Sequence, residues 1–482
     1  MQNTSIWQED IDRVKPNSLD RNLDVDIAIV GGGISGLSVA YYLKNTGYKI
    51  CLLESNYIGS GITLRTTGKI TYMQEDLLLK IKGLHDENTA KKYYESQKLA
   101  IKELNMIISN NGIKCDLKIS DSYIFAENKR DIKKVKELKN LLESFGEEIE
   151  NIYTLPDDIK IKYGIKGSDT YVFNPLKYLN GLKKCLDNVL IYEKSKVEKI
   201  LKNTDGYTLK SNGYEVNAQR VVICTHYPFF LFPYLMPLKC SLEKSYVALY
   251  KVESDINYNA ITIKKPTISI RYVEGKDTRY KLILAKSHNI NFDNNDKKHF
   301  NSLYNIGRNP DYLWSNIDII TKDYMPYIGL IDKNLYLATG YNTWGMTNGT
   351  LAGLIIRDLI LDKKSDYIRV FNPQRDNIKM LIKYPLYTFN NTYSFGMSKI
   401  IKNKRWYSKD LEFKKINGCN VGIYTDDSGI KHIVKNKCPH LGCSLIFNEV
   451  EKTWDCPCHA SRFDIDGFVI NGPSNYDIHF NE

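Results

Sequence analysis

With 482 residues, 43% of them hydrophobic and 26% charged, the chain has the makeup of a globular protein with length for about three domains, which excludes a wholly disordered molecule. No apolar run is long enough to cross a bilayer: the greasiest, Phe229 to Leu238, is short and punctuated by Pro228, Pro233 and Pro237. The net charge of +11 is uneven, and the opening MQNTSIWQEDIDRVK lacks the basic-then-apolar layout of a secretory signal, so a cytoplasmic location is expected, at most peripheral to a membrane.

The first informative stretch is Asp24 to Gly36. Val25, Ile27, Ile29 and Val30 read as a short buried strand, and Gly31, Gly33 and Gly36 fit G-x-G-x-x-G at its exit. Ile34, Leu37, Ala40 and Tyr41 then recur at helical spacing, which starts a helix inside the glycine run. Backbone N–H groups and the positive end of a helix dipole therefore meet where a pyrophosphate can sit. A second apolar strand, Lys49 to Leu53, ends on Glu54, at the distance where an acid accepts hydrogen bonds from an adenosine ribose. Strand, glycines, helix, strand and acid in register predict dinucleotide binding.

Directly afterwards, GSGITLRTTGKIT (Gly59 to Thr71) offers hydroxyls and amides that could close over phosphates; a plain surface loop is the alternative. Leu77 to Asn110 reads as mostly helical, with Tyr93, Leu99, Leu104, Ile107 and Ile108 buried, and Arg130 to Glu148 as a charged, solvent-facing helix. Neither offers chemistry. Pro175 to Leu182 restarts an apolar helix, Val197 to Ile200 reads as a strand, and Tyr214 to Cys224 ends in a β run followed by Thr225 and His226. A lone histidine there is more often a satisfied loop residue than a catalyst.

Cys240 to Ala285 is strand-rich. In TISIRY, Ile268, Ile270 and Tyr272 face one way, Ser269 and Arg271 the other. If that second face lines a pocket, Arg271 would grip a substrate carboxylate, with His288 as the second pocket candidate; a surface arginine is the alternative. Asn334 to Gly349 reads as a strand reaching Gly340, a glycine-punctuated loop, and a helix continuing over Leu351 to Leu361. Its N-terminus would serve a reduced flavin anion.

Between Pro373 and Gly418, ten Lys or Arg face three acids. A solvated linker is favoured over a docking surface for an acidic redox partner or a membrane. Nucleic acid is not expected, since no recognised binding module accompanies the charge. Of ten cysteines, Cys51, Cys115, Cys185, Cys224, Cys240 and Cys419 are scattered, as suits reduced thiols. Four crowd into C-P-H-L-G-C at Cys438 to Cys443 and C-P-C-H-A-S at Cys456 to Ser461, ahead of Gly472-Pro473. One Cys and one His per loop suit a [2Fe–2S] centre; zinc takes the same donors, and C-x-C-H is one residue too short for haem attachment.

GGGISG with Glu54, GITLRTTGKIT, ICTH, DYMPYIG (Asp323 to Gly329) and ATGYNTWGMTNG resemble, in order, the glycine oxidase and D-amino-acid oxidase superfamily of FAD enzymes. The resemblance implies a discontinuous Rossmann-like α/β FAD-binding domain with an inserted, mostly antiparallel substrate domain, together residues 1–375. FAD parts would run about 20–75, 165–230 and 320–372, and substrate parts about 76–164 and 235–319. It implies that Gly31, Gly33, Gly36 and Glu54 hold the ADP half, with Thr66 and Thr67 by the pyrophosphate. Val197 would lie by the adenine, and Gly340, Trp344, Gly345, Met346 and Thr347 by the isoalloxazine. The implied chemistry removes a hydride from a C–H bond beside an amine.

The C-terminal loops resemble a Rieske domain, expected as a small all-β unit over 411–482 after a basic linker at 376–410. That resemblance implies Cys438, His440, Cys456 and His459 as cluster ligands and a Cys443–Cys458 disulfide of the cytochrome bc type. Two positions depart from it: Ala460 replaces the usual glycine, a mild change, and Phe463 stands where high-potential members carry tyrosine. Fewer hydrogen bonds near the cluster predict a lower potential. The combined expectation is an FAD-dependent amine or amino-acid dehydrogenase passing electrons through the cluster to an acceptor protein or quinone. An electron carrier without its own substrate and a monooxygenase fed through the cluster are the alternatives.

Overall fold

The structure, a computed structural model, describes residues 2–11, 14–228, 239–264, 267–290, 295–304, 306, 309–375 and 410–480. The apolar stretch Phe229 to Leu238 and the basic linker, save Asp410, lie outside the described residues.

The first sheet is organised on Leu23–Val30, which pairs in parallel with Tyr214–Ile223 on one side and Ile50–Leu53 on the other. Strand order runs Val197–Lys202, Tyr207–Ser211, Tyr214–Ile223, Leu23–Val30, Ile50–Leu53, Val189–Tyr192. Leu335–Thr339 pairs in parallel with the far half of Tyr214–Ile223 and antiparallel with Tyr327–Asp332. The central strands are apolar on both faces because helices cover one side and the inserted sheet backs the other, so their sequences run apolar without alternation. On the helical side, Ile34–Leu43 lies against Gly345–Ile360; a Cβ on Gly353 would stand 2.7 Å from the Ser38 carbonyl carbon, so the two backbones approach as glycine alone allows.

The second sheet has eight strands in the order Tyr312–Thr321, Cys240–Val252, Arg279–Asn289, Ser269–Glu274, Asn259–Thr262, Ser122–Ala126, Lys160–Gly167, Glu150–Thr154. All its pairings are antiparallel except Asn259–Thr262 with Ser122–Phe125. The long helical reading splits into Leu77–Leu84 and Glu87–Asn110, with Asp86 capping the second through the Thr89 amide. The charged helix Lys129–Ser144 buries Val135, Leu138, Leu141 and Leu142, so only one of its faces meets solvent.

The C-terminal part is all β. Leu411–Ile416, Cys419–Thr425 and Lys431–Lys435 form one antiparallel sheet, and Ile446–Asn448, Thr453–Asp455, Arg462–Phe463 and Val469–Asn471 another. Trp454 and Phe463, wholly buried, fill the space between them. No described helix is long and apolar enough to cross a membrane.

Candidate functional site

At the exit of Leu23–Val30 the chain must turn sharply under Cys224. Gly31 has φ +106°, and a Cβ there would lie 2.7 Å from the Cys224 carbonyl oxygen, so only glycine serves. The following helix starts at Ile34, whose amide donates to Thr63 Oγ1 at 3.3 Å, and with no side-chain cap from Gly33 the amides that come next are left for an anion. Gly36 lies behind this turn, packed on the Gly31 carbonyl. Glu54 ends the neighbouring strand, and its carboxylate accepts from the Gly32 and Asn56 amides at 2.7 Å each. Burial pushes its carboxyl above the usual range, opposed by those amides.

These residues open into a cavity of about 820 Å³. Gly31, Gly33, Glu54, Thr66, Thr67, Val197, Gly340, Trp344, Gly345 and Met346 all line it. Ligand pockets occupy roughly 300–1,000 Å³, so the space suits a large ligand. The helix start and the glycine turn fit a dinucleotide such as FAD.

Several expectations need correction. The helix expected at Leu351 begins at Gly345, also without a side-chain cap, so its first amides reach the cavity wall. Thr347 does not line the cavity; its hydroxyl donates to Gln97 Oε1 at 2.6 Å inside the helical layer. The helix Leu77–Leu84, read as offering no chemistry, brings Leu77 and Lys80 into the wall beside its capping residue Asp76. Arg271 sits outside the cavity: its strand face does line it, through Ser269, but its guanidinium donates to the carbonyls of Thr67, Gly68 and Phe173. Nη1 holds the loop in place through these three carbonyls, and the residue is not among those that line the cavity. His288 also points elsewhere, stacked on His299 and bonded to the Tyr246 hydroxyl at 3.0 Å. His226 lines the cavity but is satisfied, Nε2 meeting the Ile317 carbonyl at 3.0 Å, and burial drives its pKa down to about 4.

The C-terminal loops are closed alike. The Cys438 amide donates to the Cys443 carbonyl and the Cys456 amide to the Ser461 carbonyl, each at 2.8 Å. Cys443 and Cys458 form a disulfide joining the loops. Sulfurs of Cys443, Cys456 and Cys458 lie within 4.8 Å of one another, but the disulfide spends two of them. Cys456 instead faces Cys438, whose thiol also meets the Ser461 hydroxyl. The rings of His440 and His459 stand 5.0 Å apart. Both nitrogens of His440 and Nδ1 of His459 are buried with no hydrogen-bond partner, and burial lowers the imidazoles to about 4 and 3, holding them neutral. Two adjacent thiols and two neutral imidazoles with orphaned nitrogens fit a metal centre. Ala460 adopts φ +64°, so the replacement of glycine there is not mild: it holds an L-residue in the left-handed region.

The two units share the site. His459, Ala460 and Phe468 to Asp477 form part of the wall of the same cavity, and the Tyr227 ring lies 5.8 Å from His459. Asn475 Nδ2 donates to the Glu198 carbonyl at 3.0 Å beside Val197. A buried charge network runs inward from this wall, to which Arg65 and Arg462 belong. Arg65 meets Glu451 at 3.0 Å, Arg462 meets Glu451 at 2.8 Å and Asp455 at 3.0 Å, and Lys244 bridges Asp296 and Asp455 at 2.8 Å each. Three cations face three anions, with Ser315 donating to Glu451 as well. Sequence reasoning missed these residues; the only hint was charge in the otherwise apolar TWDCPC and SRF segments around the second loop.

Comparison with known proteins accounts for both halves. Residues 26–359 match the family described as FAD dependent oxidoreductase (DAO), and residues 399–479 match the Rieske [2Fe-2S] domain. The chain is 27% identical to the putative Rieske 2Fe-2S iron-sulfur protein YhfW of Bacillus subtilis, across 98% of this chain and 96% of that one. It is 24% identical to the gamma-glutamylputrescine oxidoreductase of Escherichia coli, across 71% of this chain and 85% of the relative. In fold it is similar to glycine oxidase from Geobacillus kaustophilus, with a TM-score of 0.60 at 17% identity, covering 73% of this chain and 99% of that structure. The domain match settles the choice between zinc and iron–sulfur, and the glycine turn, the shared cavity and the Cys–His loops find one explanation: the chain belongs to the DAO family of FAD dependent oxidoreductases and carries a C-terminal Rieske [2Fe-2S] domain.

Proposed function

We propose that the protein is an FAD-dependent dehydrogenase of amines or amino acids whose electrons leave through the Rieske centre to a separate acceptor, a protein or a quinone. FAD accepts a hydride, and a [2Fe–2S] centre takes electrons one at a time. One observation carries the reading: His459, a proposed cluster ligand, stands in the wall of the cavity lined by the glycine turn and by Trp344, Gly345 and Met346. A two-electron site and a one-electron site built into one cavity suit a split of electron pairs. The relatives' printed activities favour an amine-bearing donor.

In this reading Gly31, Gly33, Glu54, Thr66, Thr67 and Val197 bind the ADP half, with Gly36 supporting the turn. Gly340, Trp344, Gly345 and Met346 border the isoalloxazine, and the amides of Gly345 and Met346 stabilise negative charge there. Cys438, His440, Cys456 and His459 hold the cluster, and Tyr227 lies beside His459 in the same cavity wall. The FAD-binding part draws on about 20–75, 165–230 and 320–372, and the substrate part on about 76–164 and 235–319. Substrate oxidation leaves an imine, which water hydrolyses.

The test is anaerobic addition of a panel of amines and amino acids to purified protein, followed by visible and EPR spectra. Flavin bleaching together with a reduced Rieske signal is the expected result. A cluster reducible only by dithionite, with no substrate response, would instead favour a carrier or a monooxygenase supplied through the cluster.

A further inference from the structure

Among the described lysines that line the cavity, Lys69 is the buried one. It follows Gly68 in the two-residue strand Lys69–Ile70, which pairs with Tyr171–Val172, so its backbone is fixed. Only 5% of its surface is exposed. Its Nζ donates to Ser269 Oγ at 2.6 Å and to the Ala260 carbonyl at 3.1 Å, two neutral acceptors on the inserted sheet. An ammonium carries three N–H groups, so one remains after these bonds. No carboxylate lies within ion-pairing distance of it among the described residues. Lys69 and Ser269 line the cavity together with Thr67, Ile261 and Thr267. Of the other cations lining the cavity, Lys80 pairs with Asp76, Arg65 with Glu451, and Arg462 with Glu451 and Asp455, while Lys194 is exposed and Lys196 half-buried.

A buried ammonium whose hydrogen-bond acceptors are both neutral is costly, and burial drives the Lys69 pKa down to about 7, with Arg271 adding repulsion and Glu75 opposing it. An anion arriving in the cavity supplies the missing counter-charge and makes a charge-assisted hydrogen bond.

We infer that Lys69 is the anion-recognising residue of the substrate compartment, and that the substrate carries a carboxylate, as an amino acid does and a simple amine does not. This deepens the proposed function and rests on it for the identity of the compartment. It places on Lys69 the recognition that the sequence suggested for Arg271, whose guanidinium is held by the loop carbonyls one residue away. Ser269 is the positioning residue, fixing Nζ through its hydroxyl.

The probes are propionate and benzoate against the uncharged propionamide and benzamide, titrated calorimetrically into the FAD-loaded protein with the flavin absorption band as a second readout. The carboxylates are expected to bind about ten-fold or more tighter than the amides. Lys69→Met should erase that gap, and Ser269→Ala should narrow it with the lysine intact, which keeps the inference testable if the first variant fails to hold FAD. Equal binding of acids and amides to the native protein, or an unchanged gap in Lys69→Met, would overturn it. Amino acids and their decarboxylated amines then separate the two claims. If none of them bleaches the flavin while the carboxylate preference holds and depends on Lys69, the dehydrogenase reading fails and the anion site stands.

Discussion

Lys244 Nζ lies 2.8 Å from Asp455 Oδ2, and this contact ties the inserted sheet to the residue immediately before the proposed cluster ligand Cys456. Lys244 is 6% exposed and its other partner, Asp296, is 2.8 Å away, so water screens neither pair. Burial works against the lysine's charge, and the two carboxylates override it, raising the pKa. The pair sets the position of the second cluster loop against the cavity.

Lys244→Met should therefore leave two buried carboxylates without their shared counterion. We expect a loss of about 3–5 kcal/mol in unfolding free energy, read by urea denaturation. Asp455→Asn should cost a similar amount, and the double variant less than the sum, because the two residues share one interaction. Additive costs would show that the pair is not coupled.

Acid should loosen the same interface. Burial alone would raise the Glu451 carboxyl, but the guanidinium groups of Arg462 and Arg65 and the Lys244 ammonium hold it at about 2 against an ordinary 4.5. A carboxylate with a lowered folded pKa contributes stability that is complete above its unfolded value and lost as pH falls through the folded one. The expected loss is about 3 kcal/mol between roughly pH 4.5 and 2. Urea midpoints across that window should fall in the native protein and stay flatter in Glu451→Gln.

Ala460 carries a backbone cost that glycine would not. Ala460→Gly should stabilise the protein by about 1 kcal/mol, and Ala460→Val, β-branched at φ +64°, should destabilise it by about 1–2 kcal/mol. Thermal unfolding of the two variants in parallel decides the point, since a reversed order would mean that the Ala460 methyl contact outweighs the strain.

Phe463 is wholly buried beside the second loop. Phe463→Tyr adds a hydroxyl that must find an acceptor, and the proposed ligands Cys456 and His459 lie in the same short segment of sequence. Protein-film voltammetry should record a higher potential, because an added hydrogen bond stabilises the reduced, more negative centre. No rise would count against hydrogen bonding as a reason to expect a low potential.

What could be read from the sequence was local or periodic. The strand, the glycine turn, Glu54 and the two Cys–His loops each lie within a short window whose spacing carries the chemistry. Alternation in TISIRY told correctly which residues share a face, yet not what lies opposite: Arg271 meets the Thr67 carbonyl, 204 residues away. The start of Gly345–Ile360 was misplaced because Gly345, Thr347, Asn348 and Gly349 are weak helix formers that tertiary packing overrides. Lys69 sat in plain view within GITLRTTGKIT, but nothing in the sequence says that its neighbours are neutral. The charge network was beyond reach, since its members look like solvated surface residues until the domains meet.

Arg65 and Glu451 are 386 residues apart, which has a consequence for synthesis. A chain emerging N-terminus first exposes the FAD-binding half long before its last seventy or so residues exist. Through that interval Arg65 lacks the counterion that the finished molecule provides, and the cavity lacks one wall. The flavoprotein half is thus built to wait for its own C-terminal end. Were the chain supplied as two polypeptides, the first would keep Arg65 without Glu451 and one cavity wall open until the second docked.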